Sequence, residues 1–122
     1  MAQDGGTRTQ GDARLAISNA LVGLYRERYG RGPNHAKTYL HDDLVVCVLR
    51  GGAIAIERTL IQGGREDLVG NVRRAFQEEE AGAFVGVVEE ATGRPVRNFL
   101  SQHDPAAEVS VEVFILEARD AE

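Results

Sequence analysis

Glycine and positive charge crowd the stretch Gly30-Arg31-Gly32-Pro33, with Arg26 and Arg28 just before it and Lys37 just after. Glycines let successive backbone N–H groups turn into one concavity, and nearby cations suit such a nest to an anion. Arg28, Gly30, Arg31, Gly32 and Lys37 are therefore the candidate ligand-binding residues. Phosphate-binding loops, however, place their glycines after a strand and before a helix, so that the positive helix end meets the ligand. Here the loop follows the C-terminus of a predicted helix, where partial negative charge repels anions and arginines serve equally well as dipole partners.

His35, His41 and His103, with Asp42, Asp43 and Asp104, offer imidazole and carboxylate ligands. They lack the short paired spacing of a metal motif, and aspartates beside turns cap backbone N–H groups, so no metal site is expected. Cys47 lies in a run of valines and reads as a small buried hydrophobe. Glu78-Glu79-Glu80 and Glu89-Glu90 spread about 100° apart per residue around a helix rather than converging on a substrate. No catalytic residue, cofactor or recognised catalytic motif emerges, and the reading leans away from an enzyme.

The elements that would position these residues follow from periodicity. Asp12 is a plausible N-cap, and Ala13, Ile17, Ala20, Leu21 and Leu24 fall on one helical face. Leu15, Val22, Tyr25 and Tyr29 make a second apolar patch, wider than a sheet face needs, and are candidate interface residues together with Gly82 and Gly86. Gly30 sits where a left-handed residue ends a helix, and Pro33 prevents its resumption. A hairpin follows, Lys37 to His41 and Leu44 to Arg50, with Asp42-Asp43 at the turn, which sets Leu40 opposite Val45 and Tyr39 opposite Val46. Leu44 to Arg50 is apolar on both sides and is expected to be a central strand covered on both faces.

After Gly51-Gly52, "AIAIERTLIQ" predicts a short helix stopped at Gly63-Gly64. A long helix then runs from about Glu66 to Ala91 with a core stripe of Leu68, Val72, Phe76, Ala83 and Val87, and Gly93 ends it. Gly82 and Gly86 inside it suggest close approach of another backbone, since glycine costs up to about 1 kcal/mol there against alanine. Pro95 to Ser101 and Val109 to Leu116 predict two more strands, the last with Val109, Val111, Val113 and Ile115 inward. Each half of the chain is thus a helix, a Gly-Arg-Pro corner and a hairpin, either a duplicated unit or two corners solving one problem.

The bulk numbers agree with one domain. The chain has 122 residues, 43% hydrophobic and 27% charged, an ordinary globular composition. Its net charge of −5 argues against binding nucleic acid, which works by lysines and arginines displacing counterions. The first 40 residues nevertheless carry +3 and the remainder −8. A single cysteine cannot form an internal disulfide, and the longest apolar run is one strand long, so no membrane span and a soluble, cytoplasmic protein are expected.

The run "YRERYGRGPNHAKTYLHDDLVVCVLRGG", with "GREDLV", "EEATGRPV" and "VEVFILE", resembles the MpsC-like family over about residues 12 to 117. These are small soluble bacterial proteins named for a sodium-translocating, membrane-potential-generating system. The resemblance implies a soluble accessory of such a system rather than the pump, and it transfers no catalytic residues.

The expectation is an α+β fold, helix-strand-strand-helix-strand-strand, with a four-stranded antiparallel sheet and helices packed on one face. Residues 1–11 are read as a flexible tail, 12–117 as the single domain and 118–122 as a C-terminal tail. The function expected is a non-enzymatic, homodimeric interaction module with a possible protein partner at a membrane complex. The alternative is a regulator binding a small anion at the Gly-Arg-Gly-Pro turn.

Overall fold

The computed structural model describes residues 10–119. The chain begins with α1 (Gln10–Leu24), which passes without a break into a π-helical turn, Tyr25–Tyr29. Gly30 closes that turn at φ 106°, its N–H donating to the Tyr25 carbonyl at 3.1 Å. Only glycine takes this left-handed conformation without strain. The chain continues through β1 (His35–His41), β2 (Leu44–Arg50), α2 (Ala55–Gln62), α3 (Glu66–Thr92), β3 (Val96–Asp104) and β4 (Val109–Leu116). The helices and the four-stranded antiparallel sheet make an α+β fold, as the periodicity predicts.

The sheet order is β1-β2-β4-β3. Each hairpin contributes an edge strand and a central one, and the two central strands pair antiparallel through Val46↔Val113 and Val48↔Val111. Helix, left-handed glycine, proline and hairpin therefore occur twice, at Gly30-Pro33 and at Gly93-Pro95, about an approximate twofold axis between β2 and β4. The register of the first hairpin is the expected one, Leu40 opposite Val45 and Tyr39 opposite Val46.

The core lies between one sheet face and the helices. Ile17, Leu21 and Tyr25 from the first helix, Phe84 and Val88 from α3, and Val45, Cys47, Leu49, Phe114 and Leu116 from the central strands close it. Aromatic rings form its spine, with Phe84, Phe99 and Phe114 stacked in sequence at centroid distances of 5.9 and 4.8 Å.

Several expectations need correction. α1 begins at Gln10, two residues before Asp12, which therefore sits inside the helix instead of capping it, and residues 1–9 and 120–122 of the expected tails lie outside the described residues. The inward side of β4 is Ser110, Glu112, Phe114 and Leu116, not the valines. A strand shifted by one residue turns every side chain over, and here the cleaner apolar alternation marks the side the helices leave open. The inner stripe of α3 is likewise one residue later than expected, at Val69, Arg73, Gln77, Phe84, Val88 and Ala91, while Val72 is 56% exposed. Finally, β2 is central but sheltered on one face only: Val45, Cys47 and Leu49 are buried and Leu44 is exposed.

Candidate functional site

Polar side chains occupy the part of the inner face where the first half of α3 passes over β3 and β4. Four elements supply them. The π-helical turn presents Tyr25 and Tyr29, α2 presents Glu57 in its first turn, α3 presents Arg73 and Gln77 one turn apart, and β4 presents Glu112. All but Tyr29 are buried.

Glu57 is the anchor. One carboxylate oxygen accepts Arg73 Nε at 2.7 Å and the Tyr29 hydroxyl at 2.5 Å; the other accepts Arg73 Nη2 at 2.8 Å and the Ile54 N–H at 3.0 Å. Burial alone would raise its pKa, but these four hydrogen bonds and the guanidinium charge reverse the effect and hold it below the ordinary carboxylate range. Arg73 also donates to the Gly52 carbonyl at 3.3 Å and lies over the Tyr29 ring at 4.2 Å. Its charge is thus both paired and stacked.

Glu112 is built differently. It accepts the Tyr25 hydroxyl at 2.5 Å and Gln77 Nε2 at 3.1 Å, both on the same oxygen. Gln77 Nε2 also donates to the Tyr25 oxygen. Burial raises the Glu112 pKa, and the nearby Ser101 and Tyr25 hydroxyls with the Arg73 charge offset only part of this. The Tyr25 hydroxyl is driven well above its ordinary value by burial and by Glu112, so it remains a donor. Among the described residues, the remaining oxygens, Gln77 Oε1 and Glu112 Oε1, are buried without a hydrogen-bond partner.

Beside this network a cavity of about 260 Å³ opens between α3 and β3. Tyr25, Arg73 and Gln77 form its back, Phe99, Ser101 and His103 its floor, and Arg74 and Glu78 its rim. His103 bonds Ser110 Oγ through Nδ1 at 2.7 Å, and burial followed by the Arg73 charge pushes its pKa down to about 4, so the ring is neutral at pH 7. The cavity is a little smaller than the roughly 300–1,000 Å³ of drug-sized ligand sites. Gln77, which carries one of the two unpartnered oxygens, lines the cavity.

The residues singled out from the sequence are dispersed. Arg28 pairs with Glu80 of α3 at 2.5 Å, on the helical side of the sheet. Lys37 lies on the opposite side, in register with Val48 and over the Tyr39 ring at 5.3 Å. Arg31 is exposed, and Gly32 packs so close to α1 that an added Cβ would stand 3.1 Å from the Val22 carbonyl oxygen. The turn is a packed corner, and Gly30 closes the helix before it.

Of the predicted interface, Leu15 is exposed, Val22 and Tyr29 are half-buried, and Tyr25 is turned into the core, which leaves it no surface for a partner. Gly82 and Gly86 face open space: apart from the neighbouring backbone of their own helix, no atom of the described residues lies within 4 Å of an added Cβ. The expected close backbone approach is therefore not made among the described residues. Arg73, Gln77 and Glu112, which build the polar network with Tyr25, were missed because an amphipathic template treats polar residues as outward facing. The signal available was the weak apolar stripe around Arg73 and Gln77, where α3 would otherwise need large hydrophobes.

Comparison with known families bears on the whole chain. The profile of the family described as "Na+-translocating membrane potential-generating system (MpsC)" matches residues 9–118. The chain belongs to the MpsC family. No curated protein and no solved structure matches this MpsC chain. Among its described residues, no helix is long and apolar enough to cross a membrane.

Proposed function

We propose that this MpsC-family chain is a non-enzymatic, soluble accessory of a sodium-translocating, membrane-potential-generating system, acting by protein contact. The family match over residues 9–118 is the observation that carries this reading. Two features support it. No helix among the described residues suits a pump's own span, and the sheet presents a broad apolar face that no other described residue covers, the kind of surface that marks interaction sites on soluble domains. The test is to delete the chain from cells that encode it and measure the sodium-dependent membrane potential in inverted vesicles. A fall that the restored chain reverses is expected, together with co-purification of membrane-embedded proteins on the tagged chain. An unchanged potential with no membrane protein retained overturns the proposal.

The cavity between α3 and β3 favours a second reading, a regulatory domain for a small ligand. This moves the ligand site away from the Gly-Arg-Gly-Pro turn, whose cations are dispersed, to Gln77 and its neighbours. A ligand that binds only the folded state raises the melting temperature with its saturation. A panel of nucleotides and small polar metabolites should then yield a compound whose shift disappears in Gln77→Met. No shift across the panel overturns this reading.

A further inference from the structure

The sheet face away from the helices is apolar and, among the described residues, uncovered. Of the seven large hydrophobic side chains exposed among the described residues, four lie on it: Tyr39 at 51%, Leu44 at 42%, Leu100 at 57% and Ile115 at 36%. Between them run Val46 and Val48 of β2 and Val111 and Val113 of β4. Residues 1–9 are a poor cover, since Met1 and Ala2 are the only apolar residues among them.

The register describes the face row by row across β1, β2, β4 and β3. One row reads Tyr39, Val46, Val113, Leu100, and the next Lys37, Val48, Val111, Gln102. Beyond that comes His35, Arg50, Val109, Asp104. Charge is thus confined to the margins, with cations on the β1 side and Asp104 on the β3 side. The centre is aliphatic and nearly mirror-matched, because β2 and β4 occupy equivalent places about the internal axis.

We propose that this face is covered by a second copy of the same chain, turned over about an axis parallel to the strands between β2 and β4. That operation lays β1 of each copy on β3 of the other. His35 then meets Asp104, Lys37 meets Gln102, Tyr39 meets Leu100 and Val46 meets Val113, so that apolar rows cover apolar rows and the basic margin faces the acidic one. A twofold axis across the strands instead lays β1 on β1 and β3 on β3, which keeps Asp104 away from the basic margin; Arg50 lies over an aliphatic side chain in either arrangement, Val109 here and Leu44 there. The pairing is self-complementary, as a closed twofold dimer requires.

At a strand spacing of about 4.8 Å and about 3.4 Å per residue, the face measures roughly 500 Å². Two copies hide roughly 1,000 Å², at the lower bound for a biological interface, which fits a weak, reversible dimer rather than an obligate one. This inference claims for a second copy the same face that supports the accessory reading; its test on the purified chain reads the dimer alone, whereas the vesicle potential reads the accessory role.

Sedimentation equilibrium over the micromolar range should show a monomer–dimer equilibrium that shifts to monomer in Leu100→Lys, at an exposed edge position that leaves the circular dichroism unchanged. Leu15→Lys, on α1, should leave the dimer intact. For orientation, Tyr39→Cys and Leu100→Cys are treated with a short bis-maleimide, Cys47 being buried. Covalent dimer should form in the mixture of the two variants and not in either alone. A monomeric wild-type chain, a dimer broken by Leu15→Lys and untouched by Leu100→Lys, or cross-linking within Tyr39→Cys alone would each overturn the proposal.

Discussion

Glu57 and Arg73 form a two-pronged ion pair with both side chains almost wholly buried, at 2.7 and 2.8 Å. The pair joins α2 to α3 and, through the Tyr29 hydroxyl, to the end of the first helix. A short surface helix is thereby tied to the two long ones by charge rather than by apolar packing. Removing one partner leaves an uncompensated buried charge, whereas removing both does not.

Arg73→Met should therefore lower the stability to chemical denaturation by about 3–5 kcal/mol, and Glu57→Gln by a similar amount. The double substitution should recover most of the loss. Urea titrations of the four proteins close the cycle, and strict additivity would contradict the coupling drawn from the geometry.

The pH dependence has opposing contributions. His103 is held neutral with its pKa near 4, against about 6.5 when unfolded, so its contribution is complete above pH 6.5 and is lost as pH falls toward 4. Glu57, lowered from 4.5, adds a loss at more acidic pH. Glu112, raised from 4.5, acts in the opposite sense: its contribution is complete below pH 4.5 and is lost as pH rises through its folded value. Between pH 6.5 and 4 the wild-type chain should lose stability that His103→Asn does not lose. Identical slopes for the two proteins would remove His103 from the account.

Cys47 is fully buried in β2, and burial pushes its thiol up to about 11. Thiolate is the reactive species, so alkylation in the native state should be slow and limited by opening of the structure. Labelling with iodoacetamide, followed by mass, should accelerate sharply at the denaturant midpoint. Fast labelling of the native chain would place the thiol in reach of solvent.

The phase of α3 can be read from two substitutions. Phe84→Ala removes a fully buried ring from the aromatic spine and should cost about 3–5 kcal/mol. Val72→Ala, on the outer side, should stay within about 0.5 kcal/mol of wild type. Equal costs would restore the stripe that hydrophobic spacing alone predicts.

How far the fold could be read beforehand depended on which signal each segment carries. Backbone chemistry was reliable: Gly30 and Gly93 ended their helices, and the Asp42-Asp43 turn set Tyr39 against Val46. Side-chain polarity misled where the inner face is polar. Ser110 and Glu112 turn inward on β4 while valines take the other side, and Arg73 and Gln77 turn inward on α3. Both errors are shifts of one residue, and both arise at the same polar network. Amphipathic templates identify the more apolar side, and here that is not the side the helices cover.

The wide turn at Tyr25–Tyr29 holds one residue more than an α-helix of the same rise would. That surplus sets the angular spacing between the two tyrosines, so that one hydroxyl reaches Glu112 and the other Glu57. Excising a single residue there would regularise the coil and swing everything beyond it by about 100°. Tyr29 would lose its carboxylate, and the glycine-proline corner would point the first hairpin elsewhere. The irregular coil is thus the gauge that matches the opening helix to the rest of the molecule.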